Sequence, residues 1–116
     1  MAVFEIEGGH KLKGEIIPQG AKNEALQVIC AVLLTSEEVI IDNIPEIRDV
    51  LKLIELLQNL GVKTNRIERG KFSFKADNVN LEFLDSSEFK KQGAALRGSI
   101  MIVGPLLSRF GKGYIP

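Results

Sequence analysis

The stretch that most constrains this chain runs from Lys22 to about Leu34, long enough for a helix and nearly all apolar after its first turn. A helix that is apolar nearly all round has no face to give to water and must be buried. Its longest unbroken apolar run, Val28 to Leu34, is far short of the roughly 20 residues that a membrane span needs. The cover must therefore come from protein. A second stretch of the same kind runs from about Ala94 to Phe110, with Leu96, Ile100, Val103 and Leu107 as its stripe. Pro105 inside it is expected to kink the helix by removing a backbone donor. Gly111-Lys112-Gly113 ends it. At 116 residues and 45% apolar, the chain has material for one small domain with a real core.

The segments between these two can be read by period. Phe4 and Ile6 alternate with Glu5 and Glu7, Gly8-Gly9 breaks the run, and Leu12 to Ile17 reads as a second short strand. Residues 1–17 thus read as a hairpin. Val39-Ile40-Ile41 reads as a buried strand closed by Asp42-Asn43, and Pro45 marks a turn. Val50, Leu53, Leu57 and Leu60 repeat at helical spacing over Asp49–Leu60. There Asp49 suits the N-cap and Gly61 the left-handed residue past the end. Val62–Ile67 and Phe72–Ala76 alternate at period two around the polar turn Glu68-Arg69-Gly70-Lys71. Residues 77–92 read as polar and irregular, anchored by Leu81, Phe83 and Phe89. The resulting order, strand–helix–strand–helix–strand–strand and a further helix, predicts an α/β layer with helices against a small mixed sheet.

Charge and composition remove several function classes. Fifteen basic residues balance fifteen acidic ones, which argues against a nucleic-acid binder. Nothing in that balance discourages self-association. Cys30 is the one cysteine and His10 the one histidine, so neither an internal disulfide nor a Cys-rich zinc site is available. Cys30 lies in an apolar run and reads as inert core. His10 reads as a loop residue, and Met101 as core filler. Lys11, Lys13, Lys90, Lys91 and Lys112 read as solvated charges. The amino terminus lacks the basic and apolar regions of a signal peptide. The expectation is a soluble, cytoplasmic chain with no membrane partner.

Two positions carry chemistry. Gly20-Ala21-Lys22-Asn23 stands directly before the first buried helix. A helix start offers free N–H groups and a positive dipole end, and a lysine there adds a full charge, which together suit an anion. Arg97 opens the second apolar stretch. A buried guanidinium there would call for a carboxylate or phosphate, whereas a rim arginine would simply extend into water.

Four segments in register carry a family resemblance: Gly20-Ala21-Lys22-Asn23-Glu24-Ala25-Leu26; Asn43-Ile44-Pro45 with Asp49-Val50; Leu57-Gln58-Asn59-Leu60-Gly61-Val62; and Leu96-Arg97-Gly98-Ser99-Ile100 through Gly104-Pro105-Leu106-Leu107-Ser108-Arg109-Phe110-Gly111. Together they resemble the amino-terminal part of the UDP-N-acetylglucosamine enolpyruvyl transferase family, the UDP-N-acetylglucosamine 1-carboxyvinyltransferases. The resemblance implies transfer of an enolpyruvyl group from phosphoenolpyruvate to the 3′-hydroxyl of UDP-N-acetylglucosamine. That is the first committed step of peptidoglycan synthesis, run without metal or organic cofactor. It implies the inside-out α/β barrel, whose domains are built from βαβαββ units around buried helices.

By position, Lys22 and Asn23 match the family's phosphoenolpyruvate contacts, Arg97 its UDP-sugar arginine, and Asp49 a residue near the cleft. Residues 1–19 correspond to a hairpin of the second domain, and residues 20–116 to part of the first. The family's proton-donor cysteine loop follows the Phe110-Gly111 segment and is expected beyond Pro116, so no catalytic residue is expected in this chain and no activity from it alone. Two other readings stand beside this one. In the sibling that makes 5-enolpyruvylshikimate 3-phosphate, serines stand where Ala21 and Asn23 stand here. A non-catalytic α/β interaction module would explain the core but not the coincidence of Lys22 and Arg97. Residues 1–17 are expected to pair with another copy or fold back over the chain's own surface.

Overall fold

The first helix, α1 (Lys22–Cys30), runs on into a 3-10 turn over Ala31–Leu34 in the computed structural model, which describes residues 2–115. Ala25, Leu26, Ile29, Cys30, Val32 and Leu33 are buried along it. Its burial is one-sided, because Val28 and Leu34 stay about half exposed. The expectation of a helix covered all round therefore does not hold within this chain.

Strand β1 (Glu38–Ile41) leads through a turn at Asn43 into α2 (Arg48–Asn59), followed by β2 (Lys63–Glu68) and β3 (Lys71–Lys75). The strand order is β1-β3-β2, with both pairings antiparallel. The sheet is thus antiparallel rather than mixed, and β1 and β2 run the same way on either side of β3. That is a split β-α-β arrangement closed by a hairpin. Its register aligns Val39, Phe74 and Thr64 in one row. Phe72 and Phe74 are buried and α2 contributes Val50, Leu53, Ile54, Leu56 and Leu57 to the same core. Helix α2 stops where the sequence places Gly61, whose φ is 103°. The Gly61 N–H donates to the Gln58 carbonyl and the Val62 N–H to the Leu57 carbonyl, both at 3.0 Å, the two bonds of a Schellman ending.

Three expectations fail locally. Residues 2–17 carry no strand, and Val3, Phe4, Ile6, Leu12, Ile16 and Ile17 stand in solvent. A two-stranded hairpin with nothing to cover its apolar face is at best marginal. Residues 77–92 are more ordered than their polarity suggests, with a 3-10 turn (Leu81–Asp85) followed by α3 (Ser87–Ala95). Ser86 caps α3 by accepting the Phe89 N–H at 3.1 Å, and Phe89 and Leu84 are fully buried.

The long helix expected over residues 94–110 is broken. Leu96 is extended, a 3-10 helix follows over Arg97–Ile102, and α4 spans Val103–Phe110. The buried Ser99 hydroxyl donates to the Gly93 carbonyl at 2.8 Å and holds the break. Pro105 is the third residue of α4, just past the junction where the 3-10 helix hands over to the α-helix, so its missing N–H falls at a change of helix type and not inside one continuous helix. The change of phase buries Ile102 and Leu106 and leaves Ile100 and Leu107 half exposed. The expected hairpin residue Met1 and the terminal Pro116 lie outside the described residues.

Candidate functional site

Lys22 is the first residue of α1, preceded by an extended Ala21 with no side-chain cap. Asp49 is the second residue of α2; the N-cap is Ile47, so Asp49 does not cap its helix as the sequence suggests. Its carboxylate turns instead to the neighbouring helix, where Asp49 Oδ2 lies 2.5 Å from Lys22 Nζ. The hydrogen bond and the charge of Lys22 hold the Asp49 carboxyl below its ordinary range. Both side chains stay a little less than half exposed, so the pair borders solvent rather than core.

Arg97 opens the 3-10 helix that follows the break at Leu96. The same break brings Gly98 against Leu26 of α1, where a β-carbon would stand 3.0 Å from Leu26 Cδ1. A glycine there lets the segment approach α1 closely. The outcome is one cleft of about 600 Å³ lined by Lys22, Asn23, Asp49 and Arg97 together with Leu26, Gln27, Leu96, Gly98 and Met101. All four residues singled out by sequence therefore share one cavity, although three separate elements supply them. Arg97 is exposed and, among the described residues, forms no ion pair.

The other lining residues are not singled out as site residues by the sequence, Gln27 and Met101 among them. Gln27 follows Asn23 by four positions on α1, so helical spacing could have placed it on the same face. Met101, whose residue type suggests core filler, is 40% exposed and lines the cleft. Cys30 lies elsewhere, buried, with burial pushing its thiol up to about 12. It is inert, as its apolar setting suggests. His10 sits exposed with its Nε2 3.3 Å from Glu7. Among the described residues no group of three or more His, Cys, Asp or Glu could hold a metal ion, and no helix is long and apolar enough to cross a membrane.

A cationic lysine at a helix start, a fork-shaped guanidinium and an amide lining one cleft suit an anionic, phosphorylated ligand. The family model described as EPSP synthase (3-phosphoshikimate 1-carboxyvinyltransferase) matches residues 6–115. The chain belongs to the EPSP synthase family. Within that family it is 57% identical over 116 residues to a UDP-N-acetylglucosamine 1-carboxyvinyltransferase of Porphyromonas gingivalis, covering all of this chain and 27% of the relative. It is 56% identical over 115 residues to the protein of that name from Bacteroides thetaiotaomicron, covering 99% of this chain and 26% of the relative. The chain thus spans about a quarter of the length of these relatives.

The crystal structure of the enolpyruvyl transferase NikO from Streptomyces tendae superposes with a TM-score of 0.66 at 23% identity, over 90% of this chain and 23% of that one. The α/β fold of the EPSP synthase family is therefore present in the described elements, save for the expected first strand.

Proposed function

We propose that this chain supplies the Lys22–Arg97 wall of the active site of a UDP-N-acetylglucosamine 1-carboxyvinyltransferase. The observation that carries the reading is the convergence of Lys22, Asn23, Asp49 and Arg97 on one cleft. The level of identity to proteins of that name supports the amino-sugar branch over the shikimate branch. In the reaction, the 3′-hydroxyl of UDP-N-acetylglucosamine adds to C2 of phosphoenolpyruvate while C3 gains a proton. The tetrahedral ketal so formed loses phosphate and a C3 proton to leave the enolpyruvyl ether. Lys22 holds the carboxylate or phosphate of phosphoenolpyruvate and balances its shifting charge. Asn23 helps place that substrate, and Arg97 grips phosphate oxygens of the UDP group as a fork.

In this reading residues 1–19 belong with a second domain and residues 20–116 with the first, and the complete protein is a cytoplasmic enzyme of peptidoglycan synthesis and so of cell shape and division. It needs no metal or organic cofactor. The 116-residue chain by itself is inactive in this reading, because its one thiol, Cys30, is buried in the core and does not line the cleft. The test is phosphate release from phosphoenolpyruvate by the complete protein with each acceptor in turn. Release that depends on UDP-N-acetylglucosamine supports the proposal. Release that depends instead on shikimate 3-phosphate, or on neither acceptor, refutes it.

A further inference from the structure

We propose that Asp49 is a positioning residue: its carboxylate holds the Lys22 ammonium at the mouth of the cleft, facing the place where an anionic substrate group binds. The inference rests on the reading of the cleft given above and assigns Asp49 a role other than touching substrate. Its starting point is the choice of partner. Asp49 has two cations of its own helix close by, Arg48 next to it and Lys52 three positions on. A carboxylate and a lysine three apart on one helix are natural neighbours. Yet the hydrogen bond of Asp49 goes to Lys22, across the gap between two helices, and Lys52 acts on it through charge alone.

Stability does not account for this pairing. An ion pair whose members are both more than two-fifths exposed contributes little to folding, because solvent screens it and two side chains must be ordered. Nor does anion binding by itself explain it, since a carboxylate lining a cleft for anions repels them. What the pair does provide is direction. A free lysine side chain has four rotatable carbons and samples many orientations. With one N–H engaged by Asp49, the ammonium keeps its remaining donors for a ligand and keeps them in one place. Preorganised charge of this kind lowers the barrier because it needs no rearrangement when charge develops.

Electrostatics and orientation therefore pull in opposite directions, and the two effects separate in kinetics. Asp49→Asn in the complete protein removes the repelling charge and slackens the hold on Lys22. The expected result is a kcat lower by roughly tenfold or more, a KM for phosphoenolpyruvate that stays level or falls, and an unmoved thermal midpoint. Asp49→Glu returns the charge and recovers part of kcat. The proposal is overturned by a kcat within about twofold of wild type, by a KM that rises, by a lowered thermal midpoint that accounts for the lost rate, or by failure of Asp49→Glu to recover any of it. Lys22→Ala in the same assay separates the two levels of the reading. Turnover that survives Lys22→Ala removes the cleft itself from the reaction. Turnover lost with Lys22→Ala but retained with Asp49→Asn overturns only the role of Asp49.

Discussion

Gly20 lies so close to Asn43 that a β-carbon on it would stand 1.9 Å from the Asn43 carbonyl oxygen and 2.9 Å from Pro45 Cδ. Asn43 itself has a φ of 55°, a left-handed conformation that asparagine tolerates better than most residues. This contact sets the entry to α1 against the β1–α2 connection, and so places Lys22 within reach of Asp49. Gly20→Ala has no flexible atom to displace, since the obstacle is backbone. It should destabilise the fold by about 2 kcal/mol, as overpacking does, and lower the denaturant midpoint accordingly. A midpoint equal to wild type would mean that the chain can enter α1 by another path.

Arg109 ties together parts of the chain that are far apart in sequence. Its Nη1 donates to the carbonyls of Leu33 and Thr35 at 3.1 Å and of Ala76 at 2.7 Å. Leu33 lies in the 3-10 turn after α1, Thr35 just beyond that turn and Ala76 just past β3. Arg109→Ala would leave those acceptors without a charged donor and should cost about 2 kcal/mol. Arg109→Lys should recover only part of that, because an ammonium lacks the planar fork. A urea midpoint for Arg109→Lys equal to wild type would show that the geometry of the guanidinium is irrelevant, and one equal to that of Arg109→Ala would show that charge alone recovers nothing.

Glu46 gives the fold an acid limit. Its carboxylate accepts Arg66 Nε at 2.8 Å, Arg66 Nη2 at 3.1 Å and the Gly70 N–H at 2.8 Å. The Arg66 hydrogen bonds, then that of Gly70, hold its carboxyl below the ordinary 4.5. A carboxyl whose folded pKa is depressed stabilises above its unfolded value and loses that contribution as pH falls through the folded one. Stability from Glu46 is thus complete above about pH 5 and declines below it. Urea midpoints followed from neutral pH into acid should fall less steeply for Glu46→Gln than for wild type. Parallel acid limbs would remove Glu46 from that decline.

How much of this could be read from the residues depended on whether the deciding contact was local. Helix α2 and its glycine ending were legible because period and cap lie in one short segment, from Val50 to Gly61. The β2–β3 hairpin was legible for the same reason. The break at Leu96 was not, because it depends on the Ser99 hydroxyl reaching Gly93 and on Gly98 lying against Leu26, a contact across more than seventy positions. The capped helix at Ser86 did leave a local signal, a serine before Ser87-Glu88-Phe89, hidden by polar neighbours. For the cleft, the residue types at Lys22 and Arg97 pointed to anions, and the family resemblance added Asn23 and Asp49. Only the fold could show that Asp49 answers Lys22 rather than capping its own helix.

The apolar residues of the amino-terminal segment offer the last test. Val3, Phe4, Ile6, Leu12, Ile16 and Ile17 are between 83% and 97% exposed. In the complete protein we assign this segment to the second domain; in the 116-residue chain nothing among the described residues covers it. Extended chain with free N–H and C=O groups pairs readily with a like edge, and zero net charge provides no repulsion to prevent it. The isolated chain should therefore sediment as a dimer whose fraction rises with concentration. Deleting residues 1–17 should give a monomer, and it should do so without lowering the thermal midpoint, because the buried core begins only at Ala25. A monomer at every concentration for the intact chain would exclude pairing between copies. A dimer that survives the deletion would move the contact to the half-exposed side of α1, where Val28 and Leu34 stand.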